Sequence, residues 1–457
     1  MDMDAAPTRQ QLRGAAVVED AGGAVAHFDA IVLGAGISGL VATSILLQQG
    51  CRRILVADQY GHVGGNHIDV AVGGYTFDVG SLIFQDDSPL LKHFPELLPH
   101  YVPIKPSWGR LNPQGVVTAY PISPKADIVD AGPIEWCRML SSLLLARAFR
   151  RKLRNAHDFA RYWLGARFLH RSGLGNYMER FYGAPPETID IKFAEKRMLG
   201  ISENARLATH IRKYLRRAPP RIKNTQLARP REGFSALYAP AVKRLEAEGV
   251  SFALGVRMHA LRKEAGGFAL DTGARVCKAR RVVSTIPLDH IRQLCGLGRE
   301  EKLGAVTLIT LFYSFAGDRG FPQSVLYNFS YFGSWKRLTV YSDFYGRHAG
   351  REYFAVEVNA QHVGGETAVA DRDFRAHVAE NGLFKGDLRL EGRHALAHAY
   401  PIYVDNAQEN LDRTIAALRA FGIESIGRQG AFEYQPTARD TTLKAEAALA
   451  LRPATSP

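Results

Sequence analysis

Cysteine is scarce in this chain and poorly placed for structural use. The four residues of that type, Cys51, Cys137, Cys277 and Cys295, form no CxxC pair within 457 residues. Neither a metal knuckle nor a disulfide framework is expected, and a reducing, cytoplasmic setting fits. No uninterrupted apolar run approaches the roughly 18 residues of a spanning helix, and the N-terminus lacks the basic stretch and apolar core of a secretory signal. The 15 histidines are dispersed, without an HxxxH or His-x-His grouping near an acid, so no metal is expected. A GxSxG elbow is missing too, because Gly36-Ile37-Ser38-Gly39 has the wrong spacing for a serine nucleophile. Acids are in deficit: 58 Lys and Arg stand against 45 Asp and Glu, for a net charge of +13. That balance favours anionic partners. The basic residues come without an RNP, zinc or helix-turn-helix pattern, so nucleic acid is not among those expected.

What is present reads as a globular protein, 46% hydrophobic and 23% charged, with chain enough for about three domains. Residues 1–27 carry no periodicity and are expected to form a disordered extension. The short apolar run Ala30-Ile31-Val32-Leu33 then predicts a buried parallel strand. Gly34-Ala35-Gly36-Ile37-Ser38-Gly39 follows, a helix is predicted to end at Gly50, and Arg53–Asp58 predicts the next strand. In such a βαβ unit Gly34 permits a tight turn, Gly36 lets the backbone approach a pyrophosphate, and Gly39 lets helix and strand pack closely. The free amides and dipole of the helix's first turn face the phosphate charge. Asp58, at the second strand's tip, is placed to accept hydrogen bonds from ribose hydroxyls. An acid there in place of an arginine argues against a 2′-phosphate, and so against NADP.

Further on, 73–84 reads as a hairpin, 134–217 as mainly helical and basic, 230–248 as a turn then a helix, and 250–286 as strands. An aromatic-rich antiparallel sheet is predicted over 305–358, a helix from about 405, and a final helix from about Thr441.

Beyond Asp58, Gln59-Tyr60-Gly61-His62-Val63-Gly64-Gly65-Asn66 adds a second glycine pair. With it the sequence resembles the FAD-dependent amine oxidase and protoporphyrinogen oxidase superfamily, which includes UDP-galactopyranose mutase and phytoene-desaturase-type enzymes. Tyr75-Thr76-Phe77-Asp78-Val79-Gly80-Ser81 is similar to that family's F-D-x-G segment, and Pro230-Arg231-Glu232-Gly233-Phe234 to its P-x-G-G-M turn. The resemblance implies an α/β fold: a Rossmann-type FAD-binding domain in three segments (28–100, 225–290 and 395–450). Between them lie a helical cap (101–224) and an antiparallel-sheet substrate domain (291–394), with a tail at 451–457. It implies FAD as cofactor, held by Gly34, Ala35, Gly36, Ile37, Ser38, Gly39, Asp58, Gln59, Gly64, Gly65 and Asn66, with Met258 near the adenine. Ser425–Tyr434 is similar to the G-R-x-G-x-x-x-Y segment of the mutases, as are Gly64-Gly65-Asn66 and Ala119-Tyr120-Pro121. By that likeness Gly427 supplies close backbone approach and Arg428 a cation.

The implied activity is hydride transfer from a C–H or C–N bond of a small organic substrate to flavin N5. Mutase chemistry on a sugar nucleotide is an alternative, although Gly80–Gln85 lacks the histidine that mutases place by the flavin. A flavin-binding protein without turnover is another. Catalytic side chains stay unassigned, since the cofactor carries the hard chemistry. Lys336 reads as a solvated strand-edge lysine. Tyr400 and Tyr403, in His398-Ala399-Tyr400-Pro401-Ile402-Tyr403, and Tyr327 are candidates for the substrate chamber. So is an aromatic wall or core face formed by Tyr313, Tyr327, Phe329, Tyr331, Phe332, Trp335, Tyr341, Phe344 and Tyr345. The basic region (Arg147, Arg150, Arg151, Lys152, Arg154, Arg161, Arg167, Arg171, Arg212, Lys213, Arg216, Arg217) suits diphosphate, carboxylate or plain solvent. With Met139-Leu140 and Leu143-Leu144-Leu145 beside it, residues 134–171 also suit contact with a membrane surface.

Overall fold

A computed structural model describes residues 25–80, 82–149, 153–191, 224–298, 303–403 and 407–450. Most of the expected extension, Ser81, and Arg150, Arg151, Lys152, Arg212, Lys213, Arg216 and Arg217 lie outside these residues. The first strand, β1 (Ala26–Leu33), starts four residues before the apolar run that predicts it. Its apolar run serves both faces of a sheet: Ala30 and Val32 pack into one core and Ile31 and Leu33 into another. Helix α1 (Ile37–Gln48) is buried on every side from Ile37 to Leu46, and β2 (Ile54–Asp58) is buried throughout.

Val250–Leu254, β2, β1 and Val276–Ser284 lie side by side and parallel. The two-residue strand Glu424–Ser425 joins Val276–Ser284 in parallel, and Gly267–Asp271 and Ala260–Glu264 extend the edge antiparallel. Helices cover both faces, as a parallel sheet requires. α1, Phe234–Ala247 and Ala438–Ala450 pack on one side, while Leu288–Leu294 and Ala407–Phe421 pack on the other. The last of these helices by position starts at Ala438 rather than near Thr441.

A second sheet of seven strands runs in the order Phe384–Ile402, Gly304–Arg319, Glu352–Asn359, Trp335–Val340, Val325–Asn328, Trp108–Leu111, Val117–Ala119. It is antiparallel except where Val325–Asn328 runs parallel with Trp108–Leu111. Residues 108–119, expected in the helical cap, therefore belong to this sheet. Its aromatics do not form one wall. Tyr313 and Trp335 face the helix Thr367–Glu380, whereas Tyr341 and Tyr345 face the hairpin formed by Asp69–Val72 and Tyr75–Asp78. Tyr331 and Phe332 are exposed. At the sheet's far end, α2 (Pro133–Phe149) packs on α3 (Ala156–Leu164) and α4 (Ala166–Arg171), and these two, with α5 (Leu174–Tyr182), cover the sheet. Among the described residues no helix is long and apolar enough to cross a membrane.

Candidate active site

A cavity of about 890 Å³ opens at the carboxyl ends of β1 and β2 and is lined by Gly34, Gly36, Ile37, Ser38, Asp58 and Gln59. That is where a doubly wound sheet places its ligand, and the volume lies at the upper end for ligand clefts. Gly64, Gly65 and Asn66 form a further wall, and Gly255–His259, including Met258, line one end. Arg428, Gln429, Ala397 and His398 line it elsewhere.

The three glycines of the turn are glycine for different reasons. Gly34 has φ +103°, and a Cβ there would meet the Thr285 hydroxyl at 2.3 Å. Gly39 lies against the Gly34 carbonyl, so protein packing alone dictates its type. At Gly36 a Cβ would find nothing nearer than the Gly65 Cα at 3.6 Å. The bare backbone at Gly36 is thus not demanded by packing, and it faces the cavity. No side chain caps α1 and no acid occupies its first turn, which leaves its leading amides to an anion. The residues present fit a dinucleotide diphosphate.

Asp58 is braced by backbone donors: the Ala35 amide donates to Oδ2 at 2.6 Å and the Tyr60 amide to Oδ1 at 2.9 Å. Burial pushes its carboxyl above the usual range, against the pull of those amides. The second glycine pair docks onto the first loop through the Gly64 amide, which donates to the Ala35 carbonyl at 2.9 Å. Ala35, Gly39 and Gly427 do not line the cavity. Gly427 (φ +82°) instead lies against Ser38, whose hydroxyl a Cβ would meet at 2.3 Å.

Arg428 is oriented by a widening in the strand Phe384–Ile402. Val306 pairs with Tyr400 and Leu308 with Leu396, so extra residues bulge out at 397–399. Ala397 and His398 thereby reach the cavity, with His398 at φ +52°. The Arg428 guanidinium donates to the Ala399 carbonyl and lies 5.9 Å from the Tyr400 ring centroid.

Tyr400 itself is buried behind this wall, stacked on Phe181 at 5.5 Å and 4°. Its hydroxyl accepts a hydrogen bond from Lys336 Nζ at 2.7 Å. Lys336 is therefore not the solvated edge lysine the sequence suggests. It is 3% exposed and pairs with Glu357 at 2.8 Å. Arg337 binds the same carboxylate. Burial alone would raise the Glu357 carboxyl, but Arg337 and Lys336 hold it below its usual range. Tyr327 stacks on Tyr120 at 4.0 Å and lies 5.8 Å from the Arg337 guanidinium. Tyr403 donates to the Phe432 carbonyl and accepts from the Tyr434 amide, which makes it part of the loop's scaffold. None of the three candidate tyrosines lines the dinucleotide cavity.

Several lining residues were not singled out from the sequence. His67 directly follows Gly64-Gly65-Asn66, and that adjacency was the available signal. Tyr238 bonds its Nδ1 at 2.6 Å, and burial drives its pKa down to about 3. The ring is neutral. Asp289, His290 and His398 bring ligand-type atoms within 4.8 Å of one another, a grouping that linear spacing did not show. No described arginine from 147–171 lines this cavity.

The family described as "Flavin containing amine oxidoreductase" matches residues 37–319. Prolycopene isomerase 2, chloroplastic, of an Oncidium hybrid cultivar is 46% identical over 57 residues. That stretch covers 12% of this chain and spans about a tenth of the curated relative's length, at 10%. Reduced UDP-galactopyranose mutase superposes with a TM-score of 0.72 at 17% identity, covering 92% of this chain and 94% of that one. A double mutant of putrescine oxidase superposes at 0.58 and 13%, covering 93% and 99%. At such identities the superpositions speak for the fold, while the family match spans well over half of the chain. The chain belongs to the flavin containing amine oxidoreductase family, FAD-dependent oxidoreductases of α/β fold.

Proposed function

We propose that this protein moves a hydride from a C–H or C–N bond of a small organic substrate to flavin N5, with Gly34, Gly36, Ile37, Ser38, Asp58, Gln59, Gly64–Asn66, Met258 and Arg428 holding the FAD. When bound, the flavin supplies the two-electron acceptor. The observation that carries the reading is the buried group behind Arg428: Phe181, Tyr400, Lys336, Arg337 and Glu357. Stacked ring faces exclude water behind Arg428, and the braced Lys336–Tyr400 pair fixes a positive charge there. Lys336 and Arg337 against the single carboxylate of Glu357 leave one positive charge in excess. That excess charge behind the cavity wall favours a neutral or anionic substrate over a polyammonium one.

Anaerobic mixing of the holoprotein with a panel of neutral, anionic and polyamine substrates tests this. Bleaching of the flavin band by neutral or anionic members supports it. Bleaching by polyamines alone would reverse the charge argument, and a flavin that no substrate reduces would mark a silent binding protein.

A mutase-like reaction is the second reading, with which His67 next to Gly64-Gly65-Asn66 and the fold shared with the reduced mutase are consistent. Incubating reduced protein with UDP-galactopyranose and separating the products distinguishes the two. An isomerised sugar nucleotide with no net oxidation would establish the mutase.

A further inference from the structure

Helix α2 has the composition of a buried helix in an exposed position. Of its 17 residues only Met139 is buried, with Glu135, Ser142, Leu143 and Ala146 half-buried against its neighbours. At 3.6 residues per turn these mark one side of the helix. The rest of its circumference carries Ile134, Trp136, Leu140, Leu144, Leu145 and Phe149, exposed by between 41% for Leu140 and 81% for Phe149. Half of the exposed large apolar side chains among the described residues lie between Val129 and Phe149. A helix that is apolar all round is normally covered on all sides, and a contiguous apolar patch of this kind marks an interaction surface.

Charge says what the partner is. From residue 133 to 154 the sequence has six bases (Arg138, Arg147, Arg150, Arg151, Lys152 and Arg154) and one acid, Glu135. Glu135 is already paired with Arg167 and Arg138. One flank of α2 also walls an open trough of about 1060 Å³, into which Arg138, Arg161, Arg167, His157 and His170 project beside Leu145 and Phe149. The Arg161 Nε there is buried without a hydrogen-bond acceptor.

We propose that α2 docks this protein on an anionic lipid bilayer, its exposed apolar side chains entering the headgroup–acyl boundary and its arginines meeting lipid phosphates. Aromatic residues near both ends, Trp136 and Phe149, suit that boundary, and basic residues beside an apolar face give preference for anionic lipid. The dinucleotide cavity is walled by other elements, so docking leaves it separate.

Co-sedimentation of the full-length holoprotein with vesicles tests the proposal. Pure phosphatidylcholine vesicles should bind weakly, vesicles containing phosphatidylglycerol strongly, and added salt should release the protein. The exposed-site variants Leu144→Asp and Phe149→Asp should each lower the bound fraction about tenfold or more, with FAD content and melting temperature unchanged. Wild type left in the supernatant at low salt would overturn the proposal, as would equal binding to both vesicle types or unaltered binding by the variants. So would sedimentation analysis showing a lipid-free dimer that the same variants dissociate, since the face would then belong to a second copy of the chain.

Discussion

A methyl group added at Gly39 would stand 1.9 Å from the Gly34 carbonyl oxygen, a backbone atom that cannot step aside. Gly39→Ala therefore destabilises the flavin-free protein by about 1–3 kcal/mol, the range for overpacking, and denaturant unfolding of apoprotein reads it directly. Gly36→Ala separates binding from folding. Its added carbon makes ordinary contact with Gly65, and the backbone at Gly36 is one that alanine adopts freely (φ −75°). The apoprotein should unfold within about 0.5 kcal/mol of wild type, while the flavin retained on gel filtration falls steeply. Equal loss of stability in both variants would mean that the Gly36 niche is a packing feature and not a cradle. The purposes of Gly34, Gly36 and Gly39 were legible in the sequence because the turn is local. Its strand, helix and second strand follow one another within about 30 residues.

Lys336 shows how much depends on strand pairing. In a regular strand Lys336 and Arg337 would point to opposite faces. Here Trp335 pairs with Val358 and Arg337 with Glu357, so Lys336 is the extra residue of a bulge. Both cations then reach one carboxylate from across the sheet. The register of Trp335–Val340 against Glu352–Asn359 is not written in either segment alone, which is why a lysine in an aromatic run read as an edge residue. The bulge at 397–399 was hidden in the same way, and with it the reach of His398 into the cavity. The cluster is asymmetric, and that yields a prediction. Lys336→Met leaves the Arg337–Glu357 pair intact, whereas Glu357→Gln leaves a buried and a half-buried cation without an anion. Breaking a buried ion pair by removing one partner costs about 3–5 kcal/mol. Glu357→Gln should fall in that range and Lys336→Met clearly below it, as compared by urea unfolding. The reverse order would show that the lysine, and not the glutamate, organises this part of the sheet.

His67 couples the site to the stability of the whole molecule. It lies where the loop after β2 meets Phe84 and the helix Phe234–Ala247, with ring contacts to Phe84, Phe234 and Tyr238. These segments are brought together only by the complete nucleotide-binding domain. Its burial is therefore lost when that domain unfolds, not when a surface loop opens. The folded pKa of about 3 stands below the 6.5 of a free imidazole. Above pH 6.5 both the folded and unfolded forms of the ring are neutral and the difference contributes nothing. Below it, the unfolded chain binds a proton that the folded protein refuses, so stability falls as pH drops from about 6.5 towards 3. The slope is about 1.4 kcal/mol per pH unit for this one group, or about 2 kcal/mol between pH 7 and pH 5. Other buried histidines titrate as well, so the decisive quantity is a difference. His67→Gln should show that much less loss between the two pH values in urea unfolding than wild type, whatever its stability at pH 7. Parallel pH profiles for the two proteins would mean that His67 takes up its proton in the folded state, and the neutral ring assigned to the cavity wall would go with it.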